Sequence, residues 1–334
     1  MTLQKIASGP EVEEGTCVQI DQTIYLFESK YEDQPDYHSG HRVISIGSSV
    51  QSFDVFKKQW SPVSLVPPIL EKQDQGKLDE LLFLHSGKLF LLLFNRFEGL
   101  SLHSLWRFDQ ENLKFVKHSD IHHKIVPPGE DNTYGNYLKL VSGNQFNIPA
   151  PYFIAKLRNS NLEMVIFHLE IATGHTVPEI LKRFQTLEPV VRVIDPLLVS
   201  ALFYQHYIYI TLAEHGCGYK WKTDQILKFN VHDKVLETMN VANEPFVLAL
   251  PRTDFFYSVT DQWYHFGSGA KGPNGKHPVF VLKELSRHPT WVQYELDVDD
   301  VGYNDHFLTT DTSTIVTLVK KNSVYQFDVN SLHF

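Results

Sequence analysis

A short pattern of apolar and polar positions recurs six times along the chain and predicts its architecture. Each copy has an apolar segment, then an acidic or amide residue, then in most copies an apolar or aromatic residue six positions later. The six pairs are Asp54 with Trp60, Asp109 with Phe115, Glu170 with Thr176, Asn230 with Leu236, Glu284-Leu285 with Trp291, and Asp328 with Phe334. The copies recur roughly every 55 residues, with a shorter last interval, and strand-rich repeats of this order are typical of β-propellers.

Two further apolar segments precede each copy of this pattern. In the first repeat they are Thr16–Ile20 and Ile24–Phe27, separated by the turn-like pair Asp21-Gln22. The corresponding pairs in the later repeats are Leu81–Leu84 and Leu89–Phe94, Tyr137–Val141 and Tyr152–Leu157, Leu197–Phe203 and Tyr207–Leu212, Phe255–Val259 and Trp263–Phe266, and His306–Thr309 and Thr314–Val319. No segment shows sustained helical periodicity. The chain is therefore predicted to be all-β, with six four-stranded blades.

The polar residue of the pattern is predicted to begin the turn between the third and fourth strands of each blade. Its side chain can accept hydrogen bonds from backbone N–H groups two residues later. The aromatic residue six positions on then falls on the fourth strand and fills the space between blades. Asp54, Asp109 and Asp328 are accordingly interpreted as structural and not catalytic.

The two ends of the chain are predicted to meet in one blade. Phe334 should begin the fourth strand of the sixth blade, but it is the last residue of the sequence, whereas Leu3–Ile6 alternates as a short strand would. We therefore expect the N-terminal strand to complete the last blade, which leaves no unpaired edge there. The prediction is a single domain over residues 1–334, with blades at about 12–66, 78–122, 135–186, 195–241, 246–297, and 304–334 plus 1–8.

The order of these segments resembles kelch repeats. The second strand ending at Tyr25-Leu26-Phe27, the step from Phe53-Asp54 to Trp60, and the final run Val324–Phe334 carry the resemblance. The Gly-Gly pair that kelch repeats typically have after the second strand is replaced here, for example by Glu28-Ser29, so the chain resembles a divergent kelch-like propeller. The resemblance implies an interaction platform, because kelch-like propellers mostly bind other proteins.

Composition and charge restrict the ligand classes and the cellular compartment expected for the protein. A formal net charge of -9 argues against a general binder of nucleic-acid phosphates, which needs a clustered positive surface. Cys17 and Cys217 are the only cysteines, which favours a reducing compartment, the cytoplasm or the nucleus. Residues 1–10 lack the features of a secretory signal, and the most apolar stretch, Leu81–Phe97, is too short and too polar to span a membrane. A monomer without membrane contact is expected.

A search for catalytic and metal-binding motifs yields no strong candidate. His38 with His41, and His118 with His122 and His123, have close spacing, but no cysteine lies nearby and no His-Glu-x-x-His motif occurs. The sequence also contains no P-loop and no Gly-x-Ser-x-Gly elbow. No catalytic residue, cofactor or metal is therefore predicted.

Three long loops between second and third strands are predicted to lie on one face of the propeller, at residues 28–48, 213–223 and 267–277. Tyrosine, tryptophan and arginine are enriched at binding hot spots, and loops on a rigid scaffold commonly carry recognition. The candidate binding residues are Tyr31, Tyr37, His38, His41, Arg42, His215, Tyr219, Lys220, Trp221, Lys271 and His277.

The function predicted from these loops is that of a protein–protein interaction platform, not an enzyme, with a partner protein bound to the loop face. The alternative is a hydrolase or lyase with its site at the mouth of the central channel, since propellers also host catalysis. A third possibility is a structural subunit, marked by a broad apolar patch. Carboxylates or histidines from several blades that converge on one channel mouth would favour the enzyme.

Overall fold

The computed structural model shows a six-bladed β-propeller, as predicted, in which each blade is one antiparallel sheet. The residues that the structure describes are 3–11, 15–31, 44–69, 78–96, 100–125, 137–143, 148–156, 163–172, 174–185, 196–214, 220–243, 251–257, 262–267, 275–285, 287–298, 301, 305–309 and 314–333. Each sheet is ordered along the chain from the channel outwards, apart from the outermost strand of the sixth blade.

The two inner positions of each blade are occupied by a hairpin. The innermost strands are β2 (Gly15–Ile20), β7 (Asp79–His85), β11 (Tyr137–Leu140), β15 (Pro196–Tyr204), β19 (Pro251–Tyr257) and β23 (His306–Leu308). The second strands are β3 (Thr23–Tyr31), β8 (Lys88–Asn95), β12 (Tyr152–Lys156), β16 (Tyr207–Glu214), β20 (Gln262–Gly267) and β24 (Ile315–Lys320).

The two outer positions follow in the same way. The third strands are β4 (Ile44–Asp54), β9 (Ser101–Asp109), β13 (Glu163–Ala172), β17 (Lys220–Asn230), β21 (His277–Lys283) and β25 (Ser323–Asp328). The outermost strands are β5 (Gln59–Trp60) with β6 (Ser64–Leu65), β10 (Lys114–Lys124), β14 (His175–Gln185), β18 (Leu236–Asn240), β22 (Thr290–Leu296) and β1 (Gln4–Ser8). A 3-10 helix, Val329–His333, follows β25. Within the described ranges, no helix has the length and apolar character that a membrane span requires.

The hydrophobic core is divided into layers between neighbouring blades. Each of the six clusters of buried side chains that the described residues form takes its members from two adjacent blades. Phe27 of the first blade, for example, meets Phe108 of the second edge-to-face, with ring centroids 5.1 Å apart. Phe266 of the fifth blade stacks on Phe307 of the sixth at 4.4 Å. These contacts explain why large apolar residues recur in every repeat, because each blade packs on both faces.

The recurring polar residue forms the predicted turn. Asp54 Oδ1 accepts hydrogen bonds from the backbone N–H groups of Phe56 and Lys57, at 3.0 and 2.8 Å. The hydrogen bonds from Lys57 hold the pKa of Asp54 below its ordinary value. Asp109, Asn230 and Asp328 make equivalent bonds to residues two positions later. The structural interpretation of Asp54, Asp109 and Asp328 is therefore confirmed.

The N-terminal strand completes the sixth blade, as predicted. β1 pairs antiparallel with β25, with Gln4 opposite Gln326 and Ser8 opposite Ser323. The indole Nε1 of Trp60, in the first blade, donates a hydrogen bond to the backbone oxygen of Ser8 at 3.0 Å. The closing strand is thereby held by the sixth blade, whose sheet it joins, and by Trp60 of the first blade. Phe334 lies outside the described residues.

The substitution Gly9→Ala is expected to destabilise this closure by about 1–3 kcal/mol, the usual range for an overpacked site. A Cβ atom at Gly9 would lie 2.0 Å from the backbone oxygen of Lys321 and 2.8 Å from the Cα of Asn322, so β1 would have to move away from the β24–β25 turn. Urea unfolding of both proteins measures the difference. Ser8→Ala is the matched control, because the Ser8 side chain is exposed. Equal stability of the Gly9→Ala variant and the unmodified protein would show that this contact does not constrain the closure.

Candidate functional site

The six innermost strands run in the same direction around the channel, since each is the first strand of its blade along the chain. The beginnings of the innermost strands therefore lie at one end of the channel, together with the ends of the second strands and the beginnings of the third strands. We call this end the upper face; Asp79 and His306 begin innermost strands there. The turns at Asp54 and Asp109 lie at the opposite end, the lower face.

A partly buried ion pair lies on the upper face of the second blade. Asp79 begins the innermost strand, and Arg96 follows the neighbouring second strand, so antiparallel pairing brings the two side chains together. Arg96 Nε lies 3.2 Å from Asp79 Oδ2, and the side chains are only 14% and 15% exposed. Burial raises the pKa of Asp79 although the guanidinium of Arg96 opposes this shift. The carboxyl group is therefore held closer to protonation than an exposed aspartate.

A second ion pair occupies the corresponding position in the sixth blade. Asp305 precedes β23, and Lys320 ends the second strand beside it. Lys320 Nζ lies 3.5 Å from Asp305 Oδ2, with side chains 19% and 10% exposed. The upper face thus carries partly buried carboxylates from two blades on either side of the first blade.

Histidine is found beside this second pair. His277 begins the third strand of the fifth blade, and its ring stacks on Phe307 of the sixth blade with centroids 5.6 Å apart. Burial, and then the positive charge of Lys320, lower the pKa of His277 to about 4. The imidazole is therefore neutral near pH 7. Its Nε2 is buried and has no hydrogen-bond partner among the described residues.

A second histidine of the fifth blade is affected by a charge on another blade. His265, on the second strand of the fifth blade, is fully buried against Trp263 and Trp291. Burial, and then the charge of Lys139 on the innermost strand of the third blade, hold the pKa of His265 well below its ordinary value. The charge of Lys139 on the third blade thus lowers the pKa of His265 on the fifth blade.

The arrangement brings together the groups that general acid–base chemistry needs. Asp79 is a partly buried carboxyl group whose pKa is raised by burial, and a raised pKa improves a carboxylic acid as a proton donor. Asp305 supplies a second carboxylate on the same face. Titratable groups with perturbed pKa values are enriched at active sites. Asp79 and Asp305 thus lie at the upper-face ends of the innermost strands of two blades, and His277 lies at the same end of a third strand.

The predicted binding loops differ from the structure in their boundaries. Tyr31 lies in β3, where its backbone pairs with Ile44, so the first loop is shorter than the predicted 28–48. Lys220 and Trp221 lie in β17, paired with Glu214 and Ala213, because β16 and β17 form a long hairpin where the sequence predicts a loop. Seven other predicted binding residues lie outside the described residues: Tyr37, His38, His41, Arg42, His215, Tyr219 and Lys271.

The predicted role of His277 as an exposed binding residue is wrong. Its side chain is 4% exposed, because the residue starts a strand that packs against the sixth blade instead of extending from a loop. A buried ring in this position packs between the fifth and sixth blades and offers almost no surface to a protein partner.

The sequence reasoning did not identify Asp79, Arg96, Asp305 and Lys320. Each of the two pairs is distant in sequence and becomes close only through the pairing of an innermost strand with its neighbour. A usable signal exists, because each pair joins an acidic residue at the start of an innermost strand to a basic residue at the end of the second strand.

A separate group of possible metal ligands lies away from the channel. His168 and Glu170 on β13 and Glu179 on β14 have ligand atoms that all lie within 4.8 Å of one another. Imidazole nitrogen and carboxylate oxygen atoms together are donors for divalent transition metals. The sequence reasoning missed this group because Glu179 belongs to another strand.

Comparison with known proteins finds a similar fold but identifies no family. The sequence matches no protein family and no curated protein. Among solved structures, the fold is similar to the GH93 alpha-L-arabinofuranosidase of Fusarium graminearum in complex with arabinobiose, with a TM-score of 0.54 and 8% sequence identity. The similarity covers 100% of this chain and 99% of that enzyme. At this identity the likeness shows the fold alone.

The prediction of a non-enzymatic interaction platform is corrected by these findings. A fold of this kind, matched over its whole length, belongs to a glycoside hydrolase. Membership of the kelch family stays a prediction. So do the monomeric state, the cytoplasmic or nuclear location, and the absence of nucleic-acid and membrane binding.

Proposed function

We propose that this protein is a hydrolase whose active site lies at the mouth of the central channel on the upper face, with a glycosidic bond as its target. Hydrolysis of that bond needs a proton donor for the leaving oxygen and a second carboxylate that acts as nucleophile or as base towards water. Asp79 is assigned the first role and Asp305 the second.

The observation that carries this proposal is the state of Asp79. Its carboxyl group is partly buried at the rim of the channel, and burial raises its pKa against the effect of a cation 3.2 Å away. An exposed aspartate keeps its ordinary pKa and is a poorer proton donor than a carboxyl group whose pKa is raised. Glycosidases separate the roles of two carboxyl groups by giving them different surroundings.

Two further features support the proposal. Asp305 is paired with a flexible ammonium group, so a polar substrate can enter the pair with small side-chain movements. The similar fold of a solved enzyme that carries arabinobiose in its complex supports a sugar as the first substrate class to test. Arg96 and Lys320 would then contact sugar hydroxyl groups as well as the two carboxylates.

The test is an activity screen of the purified full-length protein. 4-Nitrophenyl glycosides of arabinofuranose, xylose, galactose, glucose and mannose, in both anomeric forms, are incubated with the protein, and release of 4-nitrophenol is followed. We expect time-dependent hydrolysis of at least one of them in proportion to protein concentration. Arabino-oligosaccharides and xylo-oligosaccharides analysed by chromatography extend the screen to natural leaving groups.

The screen has a control for contaminating glycosidases. The double variant Asp79→Asn, Asp305→Asn is expressed and purified in parallel, and its circular dichroism spectrum is compared with that of the unmodified protein. Equal hydrolysis by the two preparations would assign the activity to a contaminant or to another site. Absence of hydrolysis across the whole panel would overturn the proposed substrate class.

A further inference from the structure

A cluster of one histidine and two glutamates lies on the outer half of the third blade, near the lower face. His168 pairs directly with Glu179 on the neighbouring strand, and Glu170 follows His168 by two residues. Residues two apart on a strand point to the same side of the sheet, and paired residues on adjacent strands do so too. The backbone therefore presents all three side chains on one side, with their ligand atoms within 4.8 Å of one another.

The imidazole of His168 has unused hydrogen-bonding capacity. The side chain is only 15% exposed, and both ring nitrogen atoms are buried without a hydrogen-bond partner among the described residues. Nε2 lies 3.1 Å from Glu179 Oε2, close but not in hydrogen-bonding geometry. Buried polar atoms are nearly always satisfied in proteins, and an ion bound at the site would satisfy one of these nitrogens.

We propose that His168, Glu170 and Glu179 form a binding site for a divalent transition-metal ion, with zinc as the best match. One imidazole and two carboxylates are a donor set that zinc accepts, with bonds of about 2.0–2.2 Å and ligand atoms about 3.3 Å apart in a tetrahedron. The three side chains would reach that spacing by small rotations. Water would complete the coordination. Calcium and magnesium prefer oxygen ligands alone and are not expected to bind tightly.

A lysine of the neighbouring blade competes for the same carboxylate. Lys234 Nζ, from the turn before β18 of the fourth blade, lies 3.7 Å from Glu179 Oε1, with both side chains about half exposed. The exposed pair contributes little stability, so a metal ion can displace the ammonium group. Glu179 thus faces both His168 and Lys234.

The experiment is a titration of the metal-free full-length protein with Zn²⁺ by isothermal calorimetry, alongside Mg²⁺ and Ca²⁺. We expect one equivalent of Zn²⁺ to bind saturably and to raise the midpoint of thermal unfolding, whereas Mg²⁺ and Ca²⁺ do neither at the same concentrations. His168→Ala and Glu179→Gln should each weaken Zn²⁺ binding by about 100-fold, at the upper end of the effect of removing an outer-shell partner. Lys234→Ala should leave binding intact or tighten it.

Two controls separate this site from adventitious binding to surface histidines. His232→Ala changes an exposed histidine of the neighbouring blade and should leave the affinity unchanged. X-ray absorption of the zinc complex should show one imidazole with oxygen ligands, a readout that needs no variant. If His168→Ala does not fold, the exposed Glu170→Gln variant is the substitute. Loss of binding in His232→Ala, unchanged binding in Glu179→Gln and Glu170→Gln, or no saturable binding would each overturn the proposal.

Discussion

The substitution Asp79→Asn is expected to lower kcat/KM for glycoside hydrolysis by about 10²–10⁴-fold, the contribution of a positioned general acid. Asparagine keeps the size of the side chain and can still face Arg96, but it cannot donate a proton to the leaving oxygen. The loss should depend on the leaving group, because a good leaving group departs without protonation. We therefore expect a large effect with alkyl glycosides or oligosaccharides and a small effect with 4-nitrophenyl glycosides.

The pH profile of kcat/KM gives an independent readout of the same residue. A general acid must be protonated to act, so activity falls as the pH rises through its pKa. Because burial raises the pKa of Asp79, the unmodified protein should stay active to a higher pH than an ordinary aspartate would allow. The Asp79→Asn variant should lack this alkaline decline.

The matched control for this prediction is Asp120→Asn, since Asp120 lies on the outermost strand of the same blade and its side chain is 53% exposed. It should retain full activity. Removing the carboxylate beside partly buried Arg96 can reduce stability, so unfolding curves are recorded for both variants. A folded Asp79→Asn variant with unchanged kcat/KM towards a poor leaving group would exclude Asp79 as the acid.

Acidification is expected to destabilise the protein through His277. The pKa of this buried imidazole is lowered from its ordinary value of 6.5 to about 4 in the folded chain. Between these pH values the unfolded chain binds a proton that the folded chain does not, so stability is lost as the pH falls from about 6.5 to about 4. A shift of this size corresponds to about 3 kcal/mol over the whole interval.

Urea unfolding at pH 7, 6, 5 and 4.5 measures this effect. The variant His277→Gln has no titrating ring, so its free energy of unfolding should fall less steeply with pH than that of the unmodified protein, whatever its value at pH 7. Other histidines with lowered pKa values, such as His85 and His103, leave some pH dependence in the variant. His288→Gln, at an exposed position, should keep the original slope. Parallel slopes for His277→Gln and the unmodified protein would contradict the assignment.

The fold could be predicted because its determinants are local and repeated. An aspartate such as Asp54 forms its turn with its own neighbours in sequence, and the alternation of apolar residues fixes which side chains enter the layers between blades. The closure of the ring could also be predicted, because the last blade lacks a fourth strand in the sequence and the first segment alternates as a strand would. Loop boundaries were less accessible, because backbone pairing extends β16 and β17 through residues whose composition is typical of a loop.

The candidate site could not be predicted from the sequence in the same way. The sequence places His277 next to a glycine-rich loop, but its burial depends on Phe307, thirty positions later in another blade. The low pKa of His265 likewise depends partly on Lys139, which lies two blades away. Electrostatic effects of this kind vary with distance and burial, and neither can be derived from residue spacing when the partners belong to different repeats.

The sequence by itself determined the class of fold, the number of blades and the structural role of the recurring aspartates, because short-range hydrogen bonds and strand alternation are encoded within each repeat. The tertiary structure alone decided which titratable side chains meet. Asp79 with Arg96 in the second blade, Asp305 with Lys320 in the sixth blade, and His168 with Glu179 on the outer strands of the third blade are each joined by strand pairing. Pairing brings together residues from separate strands, and burial then sets their chemistry.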